Sequence, residues 1–142
     1  MLRDDYTGKI QQVNSDLLNA LLDAGTMPVI APLAVSEKGE ALNVDADRAA
    51  AMIAAALNAE TLILLTAVPG LLRHFPDEDS LISKIPQSGL ENALEIAQGR
   101  MKKKVLSAGE ALQGGVGKVI IADGRVENPI SNTLGGSGTV IA

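Results

Sequence analysis

The chain contains no cysteine, one histidine (His74) and only two aromatic residues, Tyr6 and Phe75. Without thiols, disulfides and thiolate metal sites are excluded, and a single imidazole cannot build a multi-histidine centre. Two aromatics leave no stacking platform for RNA or single-stranded DNA. Positive charge is scarce as well. Twelve Lys and Arg stand against 17 Asp and Glu, a net charge of −5. Neutralising phosphates takes a basic surface, so a nucleic-acid partner is not expected. No apolar run approaches the length of a membrane span, and Met1-Leu2-Arg3-Asp4-Asp5 does not open a signal peptide. A soluble, cytoplasmic protein with no membrane partner is the expectation.

What is present is chiefly aliphatic. The 142 residues suit a single domain able to bury its own core. Residues 3–13 (RDDYTGKIQQV) alternate polar and apolar around Thr7-Gly8 and predict a β-hairpin. Asn14 or Ser15 caps a helix whose leucines at 17, 18, 21 and 22 share a face, and Gly25 ends it. Residues 27–35 (MPVIAPLAV) predict a buried strand despite two prolines, and Glu37-Lys38-Gly39-Glu40 a turn. An alanine-rich helix follows from about Asp47 to Leu57, then a continuous apolar strand from Thr61 to Thr66. Beyond an exposed loop at 73–80, a short strand is expected at 81–85 and helices at about 90–98 and 101–113. Residues 118–122 predict another buried strand. A short helix after Asn128-Pro129 and a last strand at 139–141 complete the chain. This alternation predicts an α/β fold, a mostly parallel sheet with helices on both faces, and ligands beyond the carboxyl ends of its strands.

Three loops should meet there. The first runs from Asn43 to Asp47 and opens the alanine-rich helix. One carboxylate suffices to cap a helix, so either Asp45 or Asp47 is spare, as is the amide of Asn43. The second is the strand exit Thr66-Ala67-Val68-Pro69-Gly70, which carries no titrating group and would bind through its backbone, with an adenine or ribose edge as the natural guest. The third is Gly99-Arg100-Met101-Lys102-Lys103-Lys104, four cations at a helix start, where the macrodipole disfavours them. A solvated face is the ordinary reading of such a run. A phosphate held at that terminus would offset the cost, with Lys104 one turn in and able to reach a moving phosphoryl group. Phosphoryl transfer depends on positioning and charge neutralisation, so an Asp orienting lysines or Mg²⁺, with a lysine on the moving oxygens, is a sufficient core. The glycine-rich stretch 135–138 reads as a connection, and no metal-ligand cluster stands out.

In this order, the apolar lead-in, Asn43-Val44-Asp45-Ala46-Asp47, the alanine-rich helix, Leu62-Ile63-Leu64-Leu65-Thr66, Val68-Pro69-Gly70-Leu71 and Gly99-Arg100-Met101-Lys102-Lys103-Lys104-Val105 resemble the nucleotide-binding half of the amino-acid kinase family. The resemblance covers essentially the whole chain. Its nearest branch is the acetylglutamate kinases and the kinases that phosphorylate aminoadipate or glutamate attached to a small acidic amino-group carrier protein. Residues 3–9, 97–101 and 122–130 resemble the carrier-protein kinases more closely.

The resemblance implies a three-layer α/β/α fold, ATP with Mg²⁺, and an acyl amino acid or carrier-linked substrate. It implies a substrate contact at Asn43, an organising aspartate at Asp47 and a transition-state lysine at Lys104. The nucleotide would lie against Thr66, Ala67, Val68, Pro69, Gly70, Leu71 and Leu72, against Ile96, Ala97 and Gln98, and near Lys102. Ala67 departs from the pattern, since relatives often carry Asp or Asn there, and a side-chain contact to the nucleotide is lost. Family members begin with a catalytic lysine and glycine-rich loops that have no counterpart here. The chain therefore resembles the carboxyl-terminal half of such a kinase, with the amino-terminal half as its missing partner and a homo-oligomer as the intact enzyme. On that basis these 142 residues should bind nucleotide weakly and transfer phosphate poorly.

Overall fold

The computed structural model describes residues 8–142. Helix α1 (Ser15–Asp23) opens at Asn14, whose Oδ1 accepts the Leu17 N–H at 3.1 Å. It closes in a Schellman arrangement, with Thr26 N–H on the Leu21 carbonyl and Gly25 N–H on that of Leu22. Its apolar face is only partly covered: Leu18 and Leu21 are half-buried, while Leu17 and Leu22 are exposed.

Two expectations are corrected near this end. Gly8 to Val13 form no strand, and the remainder of the expected hairpin, residues 3–7, lies outside the described residues. Gly8 instead donates its N–H to the Asn43 carbonyl at 2.9 Å. The run 27–35 is not a buried strand. Only β1 (Leu33–Val35) is extended in a ladder, antiparallel to β2 (Ala41–Asn43), while Val29 is 95% exposed. Pro28 and Pro32 lack the N–H that a continuous ladder needs.

The main sheet has the strand order β3 (Thr61–Thr66), β5 (Lys118–Asp123), β6 (Thr139–Ile141) and β4 (Lys84–Ile85). Strands β3 and β5 pair in parallel with Thr66 opposite Asp123, and β4 and β6 are also parallel. The β5–β6 pair is antiparallel, so the sheet is mixed and mostly parallel. Successive side chains of a strand point to opposite faces. Accordingly Val119 and Ile121 of β5 join the core cluster with α2 (Ala46–Ala56) and α4 (Gly99–Gln113), together with Ala93 of α3 (Leu90–Ile96). Ile120 and Ala122 are equally buried but lie outside that cluster, on the face that meets α5 (Pro129–Leu134).

Alanine richness in α2 permits close packing. Ala51 and Ala54 are buried against the face of α4 that carries Ala108 and Ala111. A Cβ added to Gly114 would stand 2.6 Å from the Cβ of Ala55, so nothing larger than glycine fits there. The glycine-rich connection into β6 is equally confined. Gly138 has φ of 103°, and a Cβ there would lie 2.6 Å from the Ile121 carbonyl oxygen.

Candidate active site

The surplus acid at the start of α2 has a partner. Asp45 does the capping, its Oδ1 accepting the N–H groups of Asp47 and Arg48 at 3.1 Å each. Asp47 is thereby left free to turn elsewhere, and its Oδ1 receives Lys104 Nζ at 2.8 Å from a position 57 residues later in the chain. The two side chains are 23% and 15% exposed, sheltered enough for their attraction to escape most screening by salt. A second tie joins the same helices, with Arg48 Nε donating to Glu110 Oε2 at 3.0 Å on the exposed side. That hydrogen bond raises the Arg48 pKa.

Helix α4 begins at Gly99 with no side chain capping it and no acid in its first turn. Lys102 and Lys103 are exposed, whereas Lys104 turns inward to Asp47. The amino end of α4 also forms one wall of a cleft of about 420 Å³. Thr66 and Val68 at the exit of β3, the turn Gly70–Leu72 and the stretch 96–101 line it, together with Phe75. Lys104 lies about one turn along the same helix from this wall.

The turn is locked by a distant residue. Leu71, 1% exposed, donates its N–H to Oγ1 of fully buried Thr139 at 2.8 Å. A Cβ at Gly70 would lie 2.5 Å from that same oxygen, so the approach of the turn to β6 requires glycine. The loop beyond is held by its own bonds, Arg73 N–H to the Ser80 carbonyl at 2.9 Å and His74 N–H to Ser80 Oγ at 3.0 Å. At the carboxyl end of β5, Arg125 grips Asp123 with its backbone N–H at 2.8 Å and Nε at 2.9 Å on Oδ1, and reaches Glu78 of the loop at 3.5 Å. The hydrogen bonds from Arg125 hold the Asp123 carboxyl below the usual carboxylate range, and the pairing raises the Arg125 pKa in turn.

Of the residues expected at a nucleotide, Thr66, Val68, Gly70, Leu71, Leu72, Ile96, Ala97 and Gln98 line the one cleft. Ala67, Pro69 and Lys102 belong to the same segments but do not line it. Asn43 ends β2 with an exposed side chain, and neither it nor the Asp47–Lys104 pair lines the cleft. Sequence reasoning missed Phe75, whose only signal was being the single Phe of the chain, and Thr139, which nothing in the sequence ties to Leu71 across 68 positions.

The pattern of the amino acid kinase family matches residues 2–123. The chain belongs to that family. A LysW-aminoadipate kinase of Deinococcus radiodurans is 56% identical over 142 residues, covering 100% of this chain and 49% of its own length. An acetylglutamate kinase of Desulfitobacterium hafniense is 43% identical over 95% of this chain and 47% of its own. This amino acid kinase chain thus spans about half the length of the curated relatives it matches. Among solved structures, N-acetylglutamate synthase from Neisseria gonorrhoeae, complexed with coenzyme A and L-arginine, superposes with a TM-score of 0.88 at 34% identity. It covers 96% of this chain and 32% of its own. Carbamate kinase from Giardia lamblia bound to AMP-PNP gives 0.71 at 25% identity, over 93% and 50%.

Proposed function

We propose that this chain is the nucleotide-binding, carboxyl-terminal half of a cytoplasmic kinase that transfers the γ-phosphoryl group of ATP to the side-chain carboxylate of aminoadipate, or glutamate, held on an amino-group carrier protein. The observation that carries this reading is the Asp47–Lys104 pair, set one turn of α4 beyond the wall of the cleft. Fold alone would not suffice, because the same fold serves a synthase in one neighbour and a kinase in another. A sheltered lysine aimed by a carboxylate is what stabilisation of charge on a moving phosphoryl group requires.

In this reading the nucleotide lies against the turn 66–72 and residues 96–98, with Lys102 near its phosphates. Lys104 Nζ faces the transferring oxygens, Asp47 fixes its direction, and Asn43 contacts the acyl substrate. The acceptor carboxylate bonds to the γ-phosphorus, the bond to the bridging oxygen breaks, and ADP leaves with that oxygen's charge, giving an acyl phosphate. Among the described residues no three His, Cys, Asp or Glu side chains cluster for a metal. Magnesium in kinases is held mainly by nucleotide phosphates and water with one or two carboxylates, so the donor set here fits Mg²⁺ arriving with ATP, and Asp47 is the carboxylate that would face it. Bound Mg²⁺-ATP supplies the phosphoryl group and neutralises its charge. Exposed Lys103, which the reading leaves free of the nucleotide, offers a cation to an acidic carrier, and the intact enzyme of this reading is a homo-oligomer completed by an amino-terminal half.

Two measurements test it. Calorimetric titration of the chain with Mg²⁺-ADP should give weak binding that falls further in Lys104→Ala and Asp47→Asn; equal affinity in all three removes those residues from the phosphate site. The longer protein should give hydroxylamine-trappable acyl phosphate from carrier-linked aminoadipate, while the 142 residues alone give little. Preference for free N-acetylglutamate would instead establish the acetylglutamate kinase reading that the Desulfitobacterium relative favours. Nucleotide binding by the longer protein without any transfer would leave a regulatory module, a role that does not need Asp47 and Lys104 together.

A further inference from the structure

We infer that Phe75 forms the stacking wall for the nucleobase, and that Arg125 positions it by tethering the loop on which it rides. This rests on the nucleotide reading above and assigns the base end of that site to a residue the family resemblance did not mark. A lone exposed aromatic is ordinary on a protein surface. Phe75 is 64% exposed, yet it lines the cleft, and it is the sole aromatic among the described residues. Its loop is closed on itself by the hydrogen bonds from Arg73 and His74 to Ser80 and by Asp77 N–H on the His74 carbonyl at 2.7 Å. The ring is therefore presented on a loop whose conformation is already set, so little ordering remains to oppose binding.

Charge divides the cleft. Arg100 and the uncapped start of α4 suit phosphates, and Lys104 continues that side by one turn. Val68, Ile96 and Met101 offer aliphatic surface, to which Phe75 adds the only π-face among the described residues. A purine is flat, apolar on its faces and attracted to such a ring. Asp123 holds Arg125 by two nitrogens on one oxygen, and Arg125 in turn meets Glu78 three residues beyond Phe75. The tether thus joins the loop to the carboxyl end of β5, beside the strand exit that borders the cleft.

The chain has no tryptophan, so Phe75→Trp introduces a single indole reporter at the stacking position. Its emission should be quenched by Mg²⁺-ADP and unchanged by Mg²⁺-tripolyphosphate, which carries charge but no base. By calorimetry, Phe75→Ala and Phe75→Leu should each weaken ADP binding roughly 5- to 100-fold while leaving tripolyphosphate binding as in the parent. Arg125→Ala should weaken ADP several-fold in the Phe75 chain and add nothing to Phe75→Ala. Circular dichroism should show each variant folded, since both positions are exposed. ADP binding by the parent with no quench in Phe75→Trp and no loss in Phe75→Ala overturns the stacking assignment and leaves the nucleotide reading standing. Absence of ADP binding by the folded parent overturns both, and equal loss of tripolyphosphate and ADP binding in Phe75→Ala means the residue shapes the whole cleft without recognising a base.

Discussion

Replacing Thr139 by valine tests the lock on the turn at Gly70–Leu72. The hydroxyl of Thr139 accepts the Leu71 N–H at 2.8 Å where both residues are shielded from water. Valine keeps the shape but puts a methyl group where the acceptor stood. The orphaned buried N–H costs about 1–3 kcal/mol. A carbon cannot approach the amide nitrogen as closely as the hydroxyl oxygen does, so the turn must also retreat by roughly half an ångström. Relief from burying a hydroxyl offsets part of this, for a net loss of about 1–2 kcal/mol. In a chain of this length that lowers the thermal midpoint by roughly 3–8 °C. Urea unfolding should show a reduced midpoint with an unchanged slope, because the surface exposed on unfolding is the same. Thr139→Ser keeps the acceptor and loses one methyl group, so it should cost only about 0.5–1.5 kcal/mol. The two variants also separate in ligand binding, since only valine displaces the wall of the cleft. If valine proves as stable as threonine while serine is the worse variant, packing and not the hydrogen bond fixes the turn, and the reasoning fails.

Three further outcomes are expected. Lys104→Met leaves Asp47 partly buried without its partner and should destabilise by about 1–3 kcal/mol, with part of the loss recovered in Lys104→Met/Asp47→Asn; a double-mutant cycle with no coupling would show the pair to be incidental. Because Arg125 lowers the Asp123 pKa on folding, the pair stabilises the fold above the unfolded-state value near pH ~4 and loses that contribution as pH falls through the lower folded value. The parent's advantage over Asp123→Asn should shrink on acidification through that window, and an advantage that grows instead contradicts the assignment. Arg48→Ala removes an exposed bridge and should cost about 0.5 kcal/mol at low salt and less at high salt, as followed by urea unfolding; a loss independent of salt would point to packing of the Arg48 stem.

Local signals carried most of the fold. Asn14 and Gly25 bracket α1, the aliphatic run Thr61–Thr66 is β3, and Thr139–Ile141 is β6 as expected. In these segments caps, periodicity and tertiary placement agree. The run 27–35 defeated the same reasoning because apolar composition reports a preference for burial without naming what would provide it, and the prolines limit the ladder to Leu33–Val35. The antiparallel entry of β6 is invisible to strand-by-strand reading, since direction is set by the connection from α5 and not by side-chain pattern. In the candidate site, the surplus acid near Asn43 was legible because capping needs one carboxylate, and the structure assigns that role to Asp45. Thr139 and Phe75 were not, since their importance comes from neighbours distant in sequence.

The tight seam between α2 and α4 has a mechanical consequence. Where Gly114 meets Ala55 at the limit of backbone approach, and two ion pairs cross the same seam, sliding one helix past the other would drive small side chains into backbone. The close contact and the two ion pairs hold the helices as one block, which fixes the spacing between the backbones of Asp47 and Lys104. The 73–80 loop is closed at its base by the isolated antiparallel Leu72–Leu81 bridge and tied to the carboxyl end of β5 through Arg125. A guest entering the cleft meets this closed loop on one side and the amino end of α4 on the other, and hydrogen exchange should register its arrival at His74–Ser80 before any amide of α2.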